Sequence, residues 1–168
     1  MFMYNPKNGD GRITGSAASL LGLEKGLENK DKKLISQALI KIITMHSVIL
    51  SYGGMPLIYA GDEIGTLNDY SYQSENGKRD DGRWVNRPKQ DWQVIAQLEN
   101  SHTPQSHIFH SLKKLINIRK NNPIFADHNN LILHQHHNPH LMIYERTSPE
   151  HNGFLVICNF DDHIHGIE

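Results

Sequence analysis

The sequence has little cysteine and no excess of charge of either sign. Cys158 is the single cysteine in 168 residues. One thiol cannot form an intrachain disulfide, so a disulfide framework is excluded, and the composition suits a reducing compartment. The 17 Lys and Arg residues nearly balance the 18 Asp and Glu residues. No global field therefore attracts polyanions, and we expect neither a nucleic-acid partner nor an anionic membrane surface.

Long hydrophobic runs are also missing. Apolar residues make up 38% of the chain and occur in short stretches, so we expect no membrane-spanning segment. Residues 1–6 have neither the basic start nor the apolar core of a signal peptide, and we expect a cytoplasmic location. The motifs G-x-S-x-G, Walker A, G-x-G-x-x-G and H-E-x-x-H do not occur, which removes the usual signatures of serine hydrolases, nucleotide-binding proteins and zinc proteases.

A helix followed by a short apolar run is the clearest pattern in the chain. Apolar residues recur at three- and four-residue spacings from Asp31 to Tyr52, which predicts a helix that Asp31 or Asn29 caps and Gly53-Gly54 ends. The run from Met55 to Ala60 is typical of a strand buried on both faces. A helix joined in this way to a buried strand predicts the αβ unit of a parallel sheet.

A polar loop of about forty residues follows this run, and loops of that length inside a compact chain are usually functional or disordered. It begins with Gly61, Asp62 and Glu63, at the strand end where α/β barrels place their sites. Retaining glycosidases need two carboxyl groups that face each other about 5 Å apart. Because adjacent residues of a strand point to opposite faces, we expect Asp62 and Glu63 to make structural hydrogen bonds at the rim.

Two arginines stand out in polar loops, and Arg83 is a candidate for binding a substrate. Arg83 lies in the stretch Asp80-Asp81-Gly82-Arg83-Trp84, where a planar guanidinium can hold a carboxylate or two sugar hydroxyls. The tryptophan offers a plate on which a pyranose ring can stack. Arg12 follows the turn-forming residues 8–11, which lack the ligand spacing of a calcium loop. The alternatives are an exposed charged loop around Arg83 and a solvated surface arginine at position 12.

Twelve histidines are many for this length, and four of them cluster between His134 and His140. Imidazole suits Zn, Cu and Ni, but no cysteine or carboxylate lies at ligand spacing in this stretch, and Pro139 marks a turn. We therefore interpret the stretch as a polar hairpin, and we expect no metal and no cofactor.

In the last third of the chain, the spacing of apolar residues changes from a helical pattern to the alternation of strands. A helix is predicted over Gln105 to Lys120, and Asn121-Asn122-Pro123 stops it. Alternation then predicts three strands, over 131–136, 141–146 and 154–160. Three strands are too few to bury both faces of a sandwich.

The stretch from Gly53 to Gly65 resembles the eighth-strand region of the α-amylase superfamily of (β/α)8 glycoside hydrolases. Gly65-Thr66-Leu67-Asn68-Asp69, followed by the residues from Asp80 to Pro88, is similar to the amylosucrase-like members of that superfamily. The segment from Tyr4 to Leu20 and the pair Asn159-Phe160 agree with this resemblance.

The resemblance implies an α/β fold. Residues 1–122 would form the C-terminal portion of a (β/α)8 TIM barrel, with a long loop after the eighth strand, and residues 123–168 would begin an antiparallel β-domain. It also implies that the complete enzyme transfers an α-glucosyl group from sucrose to a glucan or to water, with retention.

In the family, the counterpart of Arg83 lies at the bottom of the glucosyl pocket, paired with an aspartate that this chain lacks. The counterpart of Arg12 lies on the acceptor side. The family's nucleophile, acid/base residue and histidine–aspartate pair precede this region. The resemblance therefore assigns no catalytic residue to this chain, and we expect the isolated chain to be inactive.

Two alternatives remain open. One is a sibling activity, such as sucrose hydrolase, sucrose phosphorylase or another α-amylase-type glycosidase. The other is a non-catalytic carbohydrate-binding or assembly module. Because a barrel closes only with all its strands, one strand and two helices leave apolar faces uncovered. We therefore expect the chain to self-associate, to exchange segments, or to be a piece of a longer protein.

Overall fold

The computed structural model describes residues 6–11, 13–100, 102–149 and 153–163. Within these ranges the α-helices are α1 (Ala17–Leu20), α2 (Leu23–Glu28), α3 (Lys32–Ser51), α4 (Trp92–Gln97) and α5 (Pro104–Asn121). The strands are β1 (Leu131–His134), β2 (Leu141–Arg146) and β3 (Phe154–Asn159). Short 3₁₀ helices lie at Asp62–Ile64, Ser71–Ser74, Gly82–Asn86, Leu98–Asn100 and Pro123–Phe125. Internal contacts divide the chain into two compact units, Met1–Ile42 with Tyr59–Phe109 and Ile43–Ile58 with His110–Glu168.

Helix α3 confirms the helix predicted from periodicity. The Asp31 carboxylate accepts hydrogen bonds from the backbone N–H groups of Lys33 (2.9 Å) and Leu34 (3.1 Å), which are otherwise unpaired at a helix start. After Ser51 the chain leaves the helix through Gly53 and Gly54, with φ values of 133° and 69°. Glycine adopts such positive φ angles with little strain, so the predicted stop is also confirmed.

In the described part of the chain, α3 is the one helix long and apolar enough to cross a membrane, by length and composition alone. Core helices of globular proteins often share this property. The expectation of no membrane partner stays a prediction.

The prediction of a buried strand from Met55 to Ala60 is wrong. Met55 is 95% exposed and Leu57 is 84% exposed, and no strand is assigned to this stretch. Pro56 and Ile58 are half-buried, so burial alternates along the chain as it does in a strand that is covered on one side. A strand is stabilised by hydrogen bonds to its neighbours, and no described residue lies alongside this stretch as a ladder partner.

The first unit is built from small helices and loops around a set of buried side chains. Ser16 caps α1 by accepting a hydrogen bond from the backbone N–H of Ser19 (3.3 Å). Helix α2 follows, and its first residue, Leu23, is completely buried. The buried apolar residues of this unit are Ala18, Leu23, Ala38, Ile42, Ile64, Val85, Leu98 and Ile108.

The second unit contains the antiparallel meander that the alternation predicted. The strand order is β1-β2-β3 and both neighbouring pairs are antiparallel, although β1 and β3 end earlier than expected. Cys158, which lies in β3, is buried. Burial raises the pKa of its thiol.

Tyr144 and Arg146 fasten strand β2 to the C-terminal end of α3. Both side chains are fully buried, and the Tyr144 hydroxyl lies 2.6 Å from the Ser51 hydroxyl. The Arg146 guanidinium donates to the carbonyl of Ser51 (2.8 Å) and to the side-chain oxygen of Asn130 (2.8 Å). It also donates to the carbonyls of Ile124 (2.9 Å) and Asp127. Burial, and then the nearby Arg119, lowers the pKa of Arg146.

The fold class is therefore confirmed at a coarse level. Helices and a small antiparallel three-stranded sheet are what an α/β fragment would contain. No pair of parallel strands occurs in the described ranges, so the barrel is not shown. The boundary between residues 1–122 and 123–168 stays a prediction.

Candidate functional site

Arg83 sits on a short 3₁₀ helix, Gly82–Asn86, which Asp81 begins. The Asp81 carboxylate accepts a hydrogen bond from the backbone N–H of Arg83 (3.0 Å), in the geometry of a helix N-cap. Val85, on the same turn, is buried and anchors it. The loop thus holds the arginine backbone in place while its side chain stays 62% exposed.

The guanidinium of Arg83 forms a two-point pair with the same carboxylate. Its Nε lies 2.8 Å from Asp81 Oδ1 and its Nη2 lies 2.7 Å from Asp81 Oδ2. These hydrogen bonds, and that from the Arg83 backbone, lower the pKa of the Asp81 carboxyl to about 2. Pairing raises the pKa of Arg83 in turn. The resemblance implied a partner aspartate from outside this chain, and that pairing stays a prediction.

The ring of Trp84 has cationic neighbours within the loop. The ammonium of Lys78 lies 4.9 Å from the ring centroid, and the guanidinium carbon of Arg87 lies 5.9 Å away. Both distances fit cation–π contacts. The indole is half-buried, so part of the predicted stacking plate is in contact with the protein's own cations.

Asn68 and Asp69 join two loops of the first unit. The Asn68 side-chain oxygen accepts from the backbone N–H of Ser16 (2.8 Å), and the Asn68 N–H donates to the Ser19 hydroxyl (2.9 Å). The next residue, Asp69, donates its N–H to the carbonyl of Val85 (2.8 Å). This pair therefore ties the segment at Ser16 to the turn that carries Arg83.

The side-chain amide of Asn68 is also held from its other end. It donates to the Tyr70 hydroxyl (3.0 Å) and to the Glu24 carboxylate (3.3 Å), and Tyr70 donates to the same carboxylate (3.1 Å). Sequence reasoning did not single out Asn68. Its position in a turn-forming stretch was visible, but three of its partners, Ser16, Ser19 and Glu24, lie 44 to 52 residues away along the chain.

Asp62 and Glu63 lie on a 3₁₀ turn, Asp62–Ile64, and not on a strand end as expected. The Glu63 carboxylate accepts from the backbone N–H of Gly61 (2.7 Å) and so closes the turn. The expectation of structural hydrogen bonding is confirmed for Glu63, although the strand geometry from which it was argued is not found.

The histidine stretch forms a hairpin, as predicted. His136 accepts the backbone N–H of Asn138 (3.0 Å), and His134 lies 3.2 Å from the carboxylate of Glu145 on the neighbouring strand. Among the described residues, no group of three or more His, Cys, Asp or Glu side chains is arranged to hold a metal ion. Arg12, the second predicted substrate-binding residue, lies outside the described residues.

No protein-family model matches the chain. Glucosylglycerate phosphorylase from Escherichia coli (strain K12) is 26% identical to it over 125 residues, which are 74% of this chain and 22% of that protein. The chain thus spans about a fifth of the length of the curated relative. This similarity supports a distant relationship to glycoside-active enzymes. It does not distinguish a sucrose-using transferase from a phosphorylase.

Proposed function

We propose that this chain supplies part of the sugar pocket of an enzyme that transfers an α-glucosyl group with retention. Sucrose is the proposed donor, and a glucan or water is the acceptor. The observation that carries this proposal is the Arg83 loop, in which Asp81 holds an exposed guanidinium and the next residue, Trp84, has a half-buried indole. That loop occurs in a chain distantly similar to a phosphorylase of a glucosyl compound.

In this proposal Arg83 binds and orients the sugar and does not take part in bond breaking. Asp81 occupies Nε and Nη2 of the guanidinium, while Nη1 has no partner among the described residues. A sugar hydroxyl can accept from that free edge, and a carboxylate supplied by another segment can compete for the paired edge. Arg12 is proposed to contact the acceptor.

The catalytic carboxylates are proposed to come from segments outside this chain. Retaining transfer needs one carboxylate to form the glucosyl–enzyme bond and a second to protonate the leaving group and then activate the acceptor. We expect the chain alone to bind sugars without turning them over.

Isothermal titration calorimetry of the chain with sucrose and with maltooligosaccharides tests this proposal. We expect weak, saturable binding that is lost in Arg83→Ala and retained in the matched control Arg79→Ala, because Arg79 is 64% exposed outside the turn. Equal binding by both variants would contradict the role of Arg83. Release of fructose by the chain alone would contradict the absence of catalytic carboxylates.

A phosphorylase is the second candidate, because the curated relative is named as one. Phosphate would then replace the glucan or water as the acceptor, and the product would be a glucose phosphate. The two can be separated with a polypeptide that carries this chain together with the rest of the barrel. Incubated with sucrose and inorganic phosphate, a phosphorylase yields a glucose phosphate, whereas a transferase to glucan or water yields glucan or glucose.

A further inference from the structure

The second unit contains a cavity of about 560 Å³ that plays no part in the proposed sugar site. Its volume lies within the range of small-molecule sites, which are mostly apolar with a few polar groups. It is lined by Leu50, Pro56, Ile58, Ile116, Arg119, Lys120, Pro123 and Ala126.

Arg119 holds one wall of this cavity in place. Its Nη1 donates to the carbonyl of Leu50 (2.7 Å) and its Nη2 donates to the carbonyl of Gly54 (2.6 Å). These bonds link α5 to the end of α3 and to the start of the segment that contains Pro56 and Ile58. Two directed hydrogen bonds therefore fix one wall of the cavity.

The charge of the lining has one sign. Six of the eight lining residues are apolar and the other two, Arg119 and Lys120, are cations. The Lys120 side chain is exposed and makes no ion pair or hydrogen bond with any residue that the structure describes. No carboxylate in the described ranges lines the cavity to neutralise this ammonium.

We infer that the cavity binds a small amphipathic anion, such as a carboxylate on an unbranched alkyl chain of about eight to ten carbons. The apolar wall takes the alkyl chain, whose burial away from water is favourable. Lys120 pairs with the carboxylate. A sugar is disfavoured, because the lining offers few hydrogen-bonding groups for a ring of hydroxyls. A cation is disfavoured by the two basic residues.

The test is a calorimetric titration of the chain with octanoate, with 1-octanol and octylamine as matched probes. We expect saturable binding of one octanoate per chain, at least fivefold weaker binding of the alcohol, and none of the amine. Lys120→Glu is expected to weaken octanoate binding at least tenfold. Lys114→Glu, on an exposed side chain of the same helix, is the matched control and should change the affinity less than twofold.

A second variant separates the cavity from general exposed apolar surface. Ala126 is exposed at the cavity edge, so Ala126→Phe is expected to fill the cavity and abolish octanoate binding while the circular dichroism spectrum is retained. Binding that survives in Ala126→Phe, or equal binding by wild type and Lys120→Glu, would overturn the inference. A dimer that buries the cavity and leaves octanoate unbound would overturn it as well.

Discussion

Arg146 is a buried cation whose hydrogen-bond partners are all uncharged. Three backbone carbonyls and the side-chain oxygen of Asn130 accept its N–H groups. One of the carbonyls, that of Ser51, belongs to the end of α3, where the helix dipole favours positive charge. The planar fork of a guanidinium can satisfy several acceptors at once, whereas an ammonium has three donors in a different geometry.

Arg146→Lys is therefore expected to destabilise the chain by about 2 to 4 kcal/mol, because it leaves buried carbonyls unpaired. Urea unfolding followed by circular dichroism measures the change. Arg79→Lys is the control, because the Arg79 side chain is 64% exposed and its Nε lies as far as 3.7 Å from the Asp80 carboxylate. This substitution should change the free energy of unfolding by less than about 0.5 kcal/mol. If Arg146→Lys and Arg79→Lys unfolded at similar urea concentrations, the hydrogen-bond network around Arg146 would not be buried as described.

The pairing of Arg83 with Asp81 predicts a pH dependence. The folded pKa of Asp81 is about 2, below the ordinary value of 3.8. A depressed carboxyl pKa stabilises the fold fully above the unfolded pKa, and this contribution is lost as the pH falls from about 4 through about 2. NMR titration of the Asp81 carboxyl carbon should show the low value, and Arg83→Gln should return it towards 3.8. A titration unchanged by Arg83→Gln would exclude the pairing in solution.

At the scale of residues, sequence reasoning succeeds where the partners are close along the chain. Asp31 could be predicted as a cap because its acceptor role involves Lys33 and Leu34, two and three residues away. The partners of Arg146 include Ser51, at a separation of 95 residues. No periodicity or motif indicates a contact between residues so far apart. The sequence therefore predicts that Arg146 lies on a strand, but not which groups it binds.

Elements with strong internal periodicity were predicted well. Helices α3 and α5 and the three strands follow from patterns that each segment carries by itself. The run from Met55 to Ala60 failed because a buried parallel strand depends on neighbours, and the sequence of one strand cannot show whether they are present. The Arg83 turn could be predicted as a candidate site from its residue types, but not the Asn68 link that holds it.

Among the described glycines of the first unit, Gly65 is the one at which an added Cβ comes nearest to another side chain. Its φ is 59°, and an added Cβ would meet Ile108 Cδ1 and would lie 3.5 Å from Leu23 Cδ2. Gly77 has a φ of 84° with nothing within 4 Å. Both glycines have a left-handed backbone, but only Gly65 is buried and lies against neighbouring side chains.

Gly77→Ala is expected to cost about 1 to 2 kcal/mol from the left-handed backbone alone. Gly65→Ala adds overpacking, and we expect about 1 to 3 kcal/mol more. Thermal unfolding of the two variants and the wild type measures the difference. If both substitutions lowered the melting temperature equally, Gly65 would not lie against Ile108 as described.

At the scale of the whole molecule, exposed apolar side chains predict self-association. Met55 and Leu57 are 95% and 84% exposed, and the backbone from Met55 to Ile58 makes no hydrogen bond with the described residues. An open strand-like edge with apolar side chains is a template for pairing. Size-exclusion chromatography with light scattering should give a mass above that of the monomer.

The double variant Met55→Lys, Leu57→Lys is expected to shift this mass towards the monomer. Trp92→Lys is the control, because Trp92 is a single exposed apolar residue, 74% accessible, at the start of α4. A wild-type chain that is a compact monomer at high concentration would contradict this prediction. It would then be simpler to regard the exposed segment as an ordinary surface loop.

The contact between Arg146 and the end of α3 also has a consequence during protein synthesis. Translation adds about 5 to 20 residues per second, and Arg146 follows Ser51 by 95 residues. Arg146 is therefore synthesised roughly 5 to 20 s after Ser51, and only then can its guanidinium donate to the Ser51 carbonyl. During that interval water, or another molecule that binds the helix end, must donate the hydrogen bond to the Ser51 carbonyl. A ribosome that pauses between these positions would lengthen the time in which α3 is open to chaperones.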